Sequence, residues 1–173
     1  PFVIASGLAG HANGGVVTEE DQPDPNSPAG HRTLSERAAL ALAGSSVRLP
    51  PTVHGEGDNG FTATLFQIAR DTGVSGYIGE GSNTWPAVHR SDAARVFRLA
   101  LEAPGGSILH AVAEEGVPTR EIAEAIGSRL GVPAISAEPE HFGWLGTFFG
   151  LDVHASSART RERLGWQPAG PGL

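Results

Sequence analysis

The 173-residue chain has no cysteine, no methionine and no lysine, and its one tyrosine is Tyr77. Without cysteine there is no disulfide, zinc finger, iron–sulfur ligation or thiol nucleophile. Without lysine there is no P-loop, no Schiff base and no Tyr–Lys proton-transfer pair. Without methionine the chain reads as starting inside a longer protein, and the opening Pro1-Phe2-Val3-Ile4-Ala5 supports that reading. No apolar run approaches the roughly 18 residues of a membrane span. All 12 basic residues are arginine, the net charge is −7, and the arginines form no basic stripe. Arg159, Arg161 and Arg163 come nearest, and Glu162 interrupts them. Partners that are nucleic acid or membrane are therefore disfavoured. The expectation is a cytoplasmic protein meeting a small-molecule substrate, with association into a homo-oligomer where sheet edges or apolar faces stay uncovered.

What is present is 39% hydrophobic, with Gly 24 and Pro 13, enough for one loop-rich domain with a core. Residues 2–5 are a short apolar run suited to a strand buried on both faces. Residues 7–31 read as a long surface loop carrying the acidic cluster Thr18-Glu19-Glu20-Asp21. Thr33 and Glu36 form a capping box for a helix with Leu34, Ala38, Ala41 and Leu42 inward. Residues 46–49 suit a strand that Pro50-Pro51 should stop. Helices follow over 60–72, from Ser91 to about Glu102, and from Thr119 to Leu130, and the last helical turns lie at 156–164. In the second of these, Ser91 caps and Ala93, Ala94, Phe97, Ala100 and Leu101 face inward. Residues 74–78, 107–112 and 134–137 look extended, and the aromatic cluster at 139–150 must pack on something. Strands alternating with helices give an α/β fold with a mainly parallel sheet, of which only three good strands are visible.

Several constellations could carry chemistry. Gly55-Glu56-Gly57-Asp58-Asn59-Gly60 matches a phosphate-cradling glycine turn, but Glu56 and Asp58 would repel phosphates, and the alternative is an acidic loop in which Asp58 or Asn59 caps the next helix. His54, Glu56 and Asp58 alternate in the pattern of a metal site, but no second histidine stands nearby in sequence, and no metal is expected. Ser6 with His54 or His89 and Asp92 would make a hydrolase triad, but the nucleophile-elbow motif is absent. Trp85-Pro86-Ala87-Val88-His89-Arg90 sets a tryptophan, a histidine and an arginine before a capped helix, where parallel sheets bind ligands.

The order of motifs resembles a family. Ala5-Ser6-Gly7 closes a buried strand, and Ser35-Glu36-Arg37-Ala38-Ala39 opens a helix. Val47-Arg48-Leu49-Pro50-Pro51-Thr52-Val53-His54-Gly55 follows, then Val88-His89-Arg90-Ser91-Asp92, and finally Leu164-Gly165-Trp166-Gln167-Pro168. Together these resemble the C-terminal part of an extended or atypical short-chain dehydrogenase/reductase of the NAD-dependent epimerase/dehydratase group. The resemblance implies part of a Rossmann-type sheet (residues 1–55 and 91–112) and a smaller substrate lobe (56–90 and 113–173). It implies NAD or NADP as cofactor, with the glycine-rich nucleotide turn preceding Pro1. It places the family's serine at Ser6, with Gly7 the competing alignment, and the nicotinamide-facing segment at Pro50, Pro51, Thr52 and Val53. Substrate contacts fall to Trp85, His89 and Arg90.

Arg32 and Glu36 stand where the family has its Tyr and Lys, so the family's proton-transfer pair cannot form. The acid must then be His54, His89, Tyr77 or a group outside this sequence. His54 is the first choice, because an imidazole exchanges protons near neutral pH. Two functional classes follow. One is an NAD(P)-dependent oxidoreductase or epimerase/dehydratase-like enzyme acting on a small carbonyl, alcohol or sugar-type compound. The other is a nucleotide-binding sensor or scaffold of the same fold that has lost catalysis.

Overall fold

A computed structural model describes residues 1–11, 14–24, 26–27 and 30–173. The chain begins with β1 (Val3–Gly7), a single 3-10 turn (Leu8–His11) and β2 (Val16–Val17). Next come α1 (Arg32–Ala41), β3 (Ser45–Leu49), β4 (Thr52–His54) and α2 (Phe61–Thr72). β5 (Ser75–Ile78), β6 (Thr84–His89), α3 (Arg90–Glu102), β7 (Ile108–His110) and β8 (Glu114–Pro118) follow. The last elements are α4 (Thr119–Leu130), β9 (Ala134–Ala137), a 3-10 segment (Pro139–Leu145), α5 (Gly146–Phe149), β10 (His154–Ala155) and α6 (Ala158–Leu164).

The α/β expectation holds. β1, β3 and β7 form a parallel sheet, with β3 central. β4 and β6 run parallel, and β8 joins β6 antiparallel. β5 pairs with β9, and β2 with β10, both parallel. Two main cores result. Val47, Val88, Val96, Leu109 and Trp166 pack where α3 covers the first sheet. Leu65, Trp85, Ile122, Phe142 and Phe149 pack where α2 and α4 meet the aromatic segment, which answers the demand of residues 139–150 for a partner. Among the described residues no helix is long and apolar enough to cross a membrane.

Several local expectations need correction. β3 ends at Leu49, as Pro50-Pro51 required, but β4 starts at once beyond them and pairs with β6. β6 and β8 were invisible as strands: β6 carries a proline and β8 is Glu-Glu-Gly-Val-Pro, both poor by composition. On α3 the inward face is Asp92, Ala93, Val96 and Ala100, whereas Ala94 and Leu101 are exposed. The α3 cap belongs to His89, whose Nδ1 accepts from the Ser91 N–H at 3.3 Å, and not to Ser91. On α1 the expected face is reversed. Leu34 and Leu42 are 72% and 75% exposed, and Thr33, Glu36 and Ala39 face in.

The reversal has an electrostatic cause. Glu36 is not a capping-box acid, since no side-chain bond caps α1. It lies buried against Arg48, which is 0% exposed, with Nη2–Oε1 2.6 Å and Nε–Oε2 3.1 Å. Ser46 Oγ donates to the same carboxylate, and Arg48 Nη1 donates to the Asp21 carbonyl at 2.9 Å. Burial would raise the Glu36 carboxyl, but the hydrogen bond and charge of Arg48, helped by Ser46, hold it below its ordinary value. A buried charge needs its partner, and that demand outranks two leucines on a helix surface.

The acidic cluster is equally structural, so the surface-loop expectation fails over much of 7–31; Ala12, Asn13, Pro25, Pro28 and Ala29 lie outside the described residues. Leu8, His11, Val17 and Glu19 are buried. Thr18 and Asp21 close a turn through their side chains. Glu19 Oε1 accepts from the N–H and hydroxyl of Thr160, capping the first turn of α6, and Glu20 pairs with Arg159. The Thr160 hydroxyl in turn accepts from the His110 N–H.

His110 is held as well. Its Nδ1 meets the Ser156 carbonyl at 2.8 Å, and a carbonyl can only accept, so Nδ1 carries the hydrogen. His11 has neither ring nitrogen bonded although it is 3% exposed. Burial, with the Arg48 charge adding, pushes it from its ordinary 6.5 to about 4. Below pH 6.5 the unfolded chain therefore takes a proton that folded His11 refuses until about pH 4. Stability is complete above that window and falls as pH drops through it, by on the order of 3 kcal/mol from this group. His11→Leu is expected to flatten that loss in urea titrations at pH 7.5 and 4.5. An unchanged pH slope would refute the assignment.

Candidate functional site

A cleft of about 1390 Å³ opens between α2 and α4. His54 sits at one end, at the close of β4 and in register with His89 at the close of β6. The two rings meet edge to face with centroids 5.5 Å apart. His54 is 8% exposed and its Nε2 has no partner. Burial lowers its basicity; the Glu114 carboxylate opposes this, while His89 adds to it and Asp58 opposes again. The net result is an imidazole that stays neutral at physiological pH and keeps one ring nitrogen uncommitted. His89 Nδ1 accepts the Ser91 amide, so the neutral ring carries its hydrogen on Nε2.

The loop after His54 lines the cleft with Gly55, Glu56, Gly57 and Asp58. Gly55 has φ +149°, and a Cβ there would lie 3.0 Å from His89 Nε2 and 3.1 Å from the Arg90 side chain. Only glycine lets the backbone pass under the side chains of His89 and Arg90. Asp58 Oδ1 accepts the Gly60 N–H at 2.6 Å just ahead of α2, but Gly60 is the N-cap and no side chain caps the helix, so neither Asp58 nor Asn59 serves as the expected cap. The loop's carboxylates do not gather a metal site: among the described residues no three His, Cys, Asp or Glu converge as metal ligands.

Ser6 lies on β1 opposite Arg48, in the other sheet from His54, and no hydrogen bond joins the two among the described residues. Pro50, Pro51, Thr52 and Val53 run from the end of β3 into β4, directly before His54. Thr52 is 1% exposed and its hydroxyl has no partner. Trp85, 1% exposed, packs edge-on against Phe149 with centroids 5.0 Å apart. Arg90 is exposed over the Gly55–Gly57 loop. Asp92 accepts the N–H groups of Ala169 and Gly170 and orients no histidine, so the hydrolase triad does not assemble. Tyr77, the alternative acid, is buried beneath Arg120, which donates to its hydroxyl at 3.0 Å.

The far end of the cleft was missed from sequence. Arg70 and Arg129, in the last turns of α2 and α4, line it. A basic residue in the last turn of a helix is ordinary, since it complements the helix dipole, and no motif in the sequence singles out either one. The only signal was negative: neither has an acid three or four residues away.

No family model matches the chain. An uncharacterised protein of Schizosaccharomyces pombe, C2A9.02, is 49% identical over 160 residues, which are 90% of this chain and 54% of that protein. An uncharacterised protein of Saccharomyces cerevisiae, YLL056C, is 41% identical over 183 residues, 100% of this chain and 61% of that protein. The chain thus spans between about half and three-fifths of the curated relatives it matches. Among solved structures, MoeE5 in complex with UDP-glucuronic acid and NAD superposes with a TM-score of 0.77 at 22% identity, covering 98% of this chain and 60% of that one. DesIV, a dTDP-glucose 4,6-dehydratase from Streptomyces venezuelae with NAD and TYD bound, gives 0.75 at 19% identity, covering 98% and 55%. These likenesses show a shared α/β fold with parallel sheets.

Proposed function

We propose that the chain is the substrate-side part of an NAD(P)-dependent oxidoreductase of the epimerase/dehydratase type, acting on a small carbonyl, alcohol or sugar-type compound. The observation that carries this reading is His54, a buried neutral imidazole with a free Nε2, at the strand end where the cleft begins. The fold relatives bound to NAD support it. In this reading residues 1–55 and 91–112 serve the sheet side, and 56–90 and 113–173 the substrate side.

The segment Pro50–Val53 fits a nicotinamide. The two prolines offer an apolar surface without N–H groups, and the buried Thr52 hydroxyl is free to bond. When bound, the cofactor would accept or supply hydride. The protein's own task is then the proton. His54 Nε2 takes it from a substrate hydroxyl or returns it to a carbonyl oxygen. His89 packs edge to face against the ring from one side, and the Arg90 side chain lies over the glycine loop. Neither Tyr nor Lys is needed for this division of labour.

The test is His54→Gln in the full-length protein, followed by nicotinamide absorbance with a panel of aldehydes, ketones and alcohols. Loss of general acid–base catalysis predicts a 10²- to 10⁴-fold fall in kcat with cofactor binding retained. Full turnover in the variant would remove His54 from the mechanism. Cofactor binding by the wild type without any turnover would support a binding module instead.

A further inference from the structure

The cleft is not uniform along its length. α2 and α4 lead into the parallel strands β5 and β9, so they run side by side in one direction. Their first turns lie toward His54, and their last turns carry Arg70 and Arg129. The His54 half is acidic, lined by Glu56, Asp58, Glu114 and Glu121. The middle is apolar, lined by Ala63, Phe66, Val117, Ile122 and Ala125. The far end holds two cations, with Ser128 beside them.

Among the described residues neither Arg70 nor Arg129 has an ion pair. The nearby acids are engaged: Asp71 accepts from Gln67, and Glu124 pairs with Arg120. On their own helices the positions four residues before the two arginines are Phe66 and Ala125, which belong to the apolar floor. Among the described residues both guanidinium groups therefore line one cavity without an ion pair, and the carboxylates that line the same cavity lie toward its other end. A second, independent feature marks the same cavity as a ligand site, namely the unpartnered Nε2 of His54, a residue more than nine-tenths buried.

We infer that the cleft binds an elongated substrate with an apolar body and a terminal anion, a carboxylate or a phosphate. The anion sits between Arg70 and Arg129, and the reacting hydroxyl or carbonyl lies at His54. The orientation is set by charge, since an anion at the His54 end would face four carboxylates. The span is long: Thr62 to Arg70 alone is roughly 12 Å along α2. A planar guanidinium pair suits either oxyanion, and bidentate contact adds geometric selection. This inference rests on the functional reading for the reacting end only. The anion site stands on the cleft itself.

The experiment is a binding titration of the protein with three probes of one chain length, octanoate, octyl phosphate and octanol, by calorimetry at 20 mM salt. At least one of the two anions should bind ten-fold or more tightly than octanol. Which of them does so identifies carboxylate or phosphate as the source, and equal binding means that either serves. The preference should disappear in Arg70→Gln/Arg129→Gln, both exposed positions, and should shrink at 300 mM salt in the wild type, a control that needs no variant. Octanol binding as tightly as both anions, or a preference that survives the double substitution, overturns the proposal. Anion preference without any nicotinamide-dependent turnover would leave this site standing and remove the functional reading. Turnover of alcohols with no anion preference would do the reverse.

Discussion

Arg48→Ala is expected to destabilise the protein by about 3–5 kcal/mol, because it leaves the Glu36 carboxylate buried without its cation. Net stabilities are only about 5–15 kcal/mol, so the variant should be marginal or unfolded at 37 °C. The guanidinium also holds the Asp21 carbonyl and lies 3.5 Å from His110 Nε2, so the loss spreads to the acidic turn and to β7. The reverse change, Glu36→Gln, should hurt less, since the amide can still accept from Arg48 and the exposed α1 surface is untouched. Replacing both members by Arg48→Met and Glu36→Leu should recover much of the loss, because an apolar pair needs no desolvation. Guanidinium chloride midpoints for the four proteins check this. A single Arg48→Ala variant within 1 kcal/mol of wild type would show that the pair is not what orders this corner.

Trp166→Ala carries the second large effect, about 3–5 kcal/mol for emptying a fully buried indole site. The side chain is 0% exposed, packs with Val88, Val96 and Leu109, and lies under the Arg161 guanidinium at 5.6 Å. Its Nε1–H donates to the Asp92 carbonyl at 3.2 Å. Trp166→Phe keeps most of the volume and loses that bond, so about 1 kcal/mol more than the volume change is expected. Trp85 is the control. Its indole N–H is buried without a partner, so Trp85→Phe forfeits no hydrogen bond and should be the milder of the two. Equal costs for the two Phe variants would argue that the Asp92 bond contributes nothing. Because the Asp92 carboxylate also anchors Ala169 and Gly170 beside His89, Trp166→Ala should raise hydrogen exchange at those two amides.

How far the sequence could be read depended on what drives each element. α2 and α4 were legible because their apolar stripes face the core and glycines in the left-handed region, Gly73 and Gly131, end them. The start of α3 was legible, but its cap was misassigned, since a histidine ring at the N-cap is a rare substitute for a hydroxyl. α1 was expected in the right place but with its cap two residues late at Thr33 and with the wrong face. Periodicity counts leucines, and here a buried ion pair between residues 12 apart decided the orientation. β6 and β8 stay hidden because their pairing depends on neighbours far along the chain, not on composition. At the cleft, His54 was singled out from its motif position. Arg70 and Arg129 were not, because only the approach of two helices makes them neighbours.

The link from Glu19 to Thr160 joins residues 141 apart, and β2 with β10 closes a loop of similar size. Contacts of that separation form late, after the entropy of the whole intervening chain has been lost. During synthesis the Thr18–Asp21 turn and its bond to Arg48 can form early, whereas the buried Glu19 carboxylate in the same turn gains its partner only when α6 has emerged.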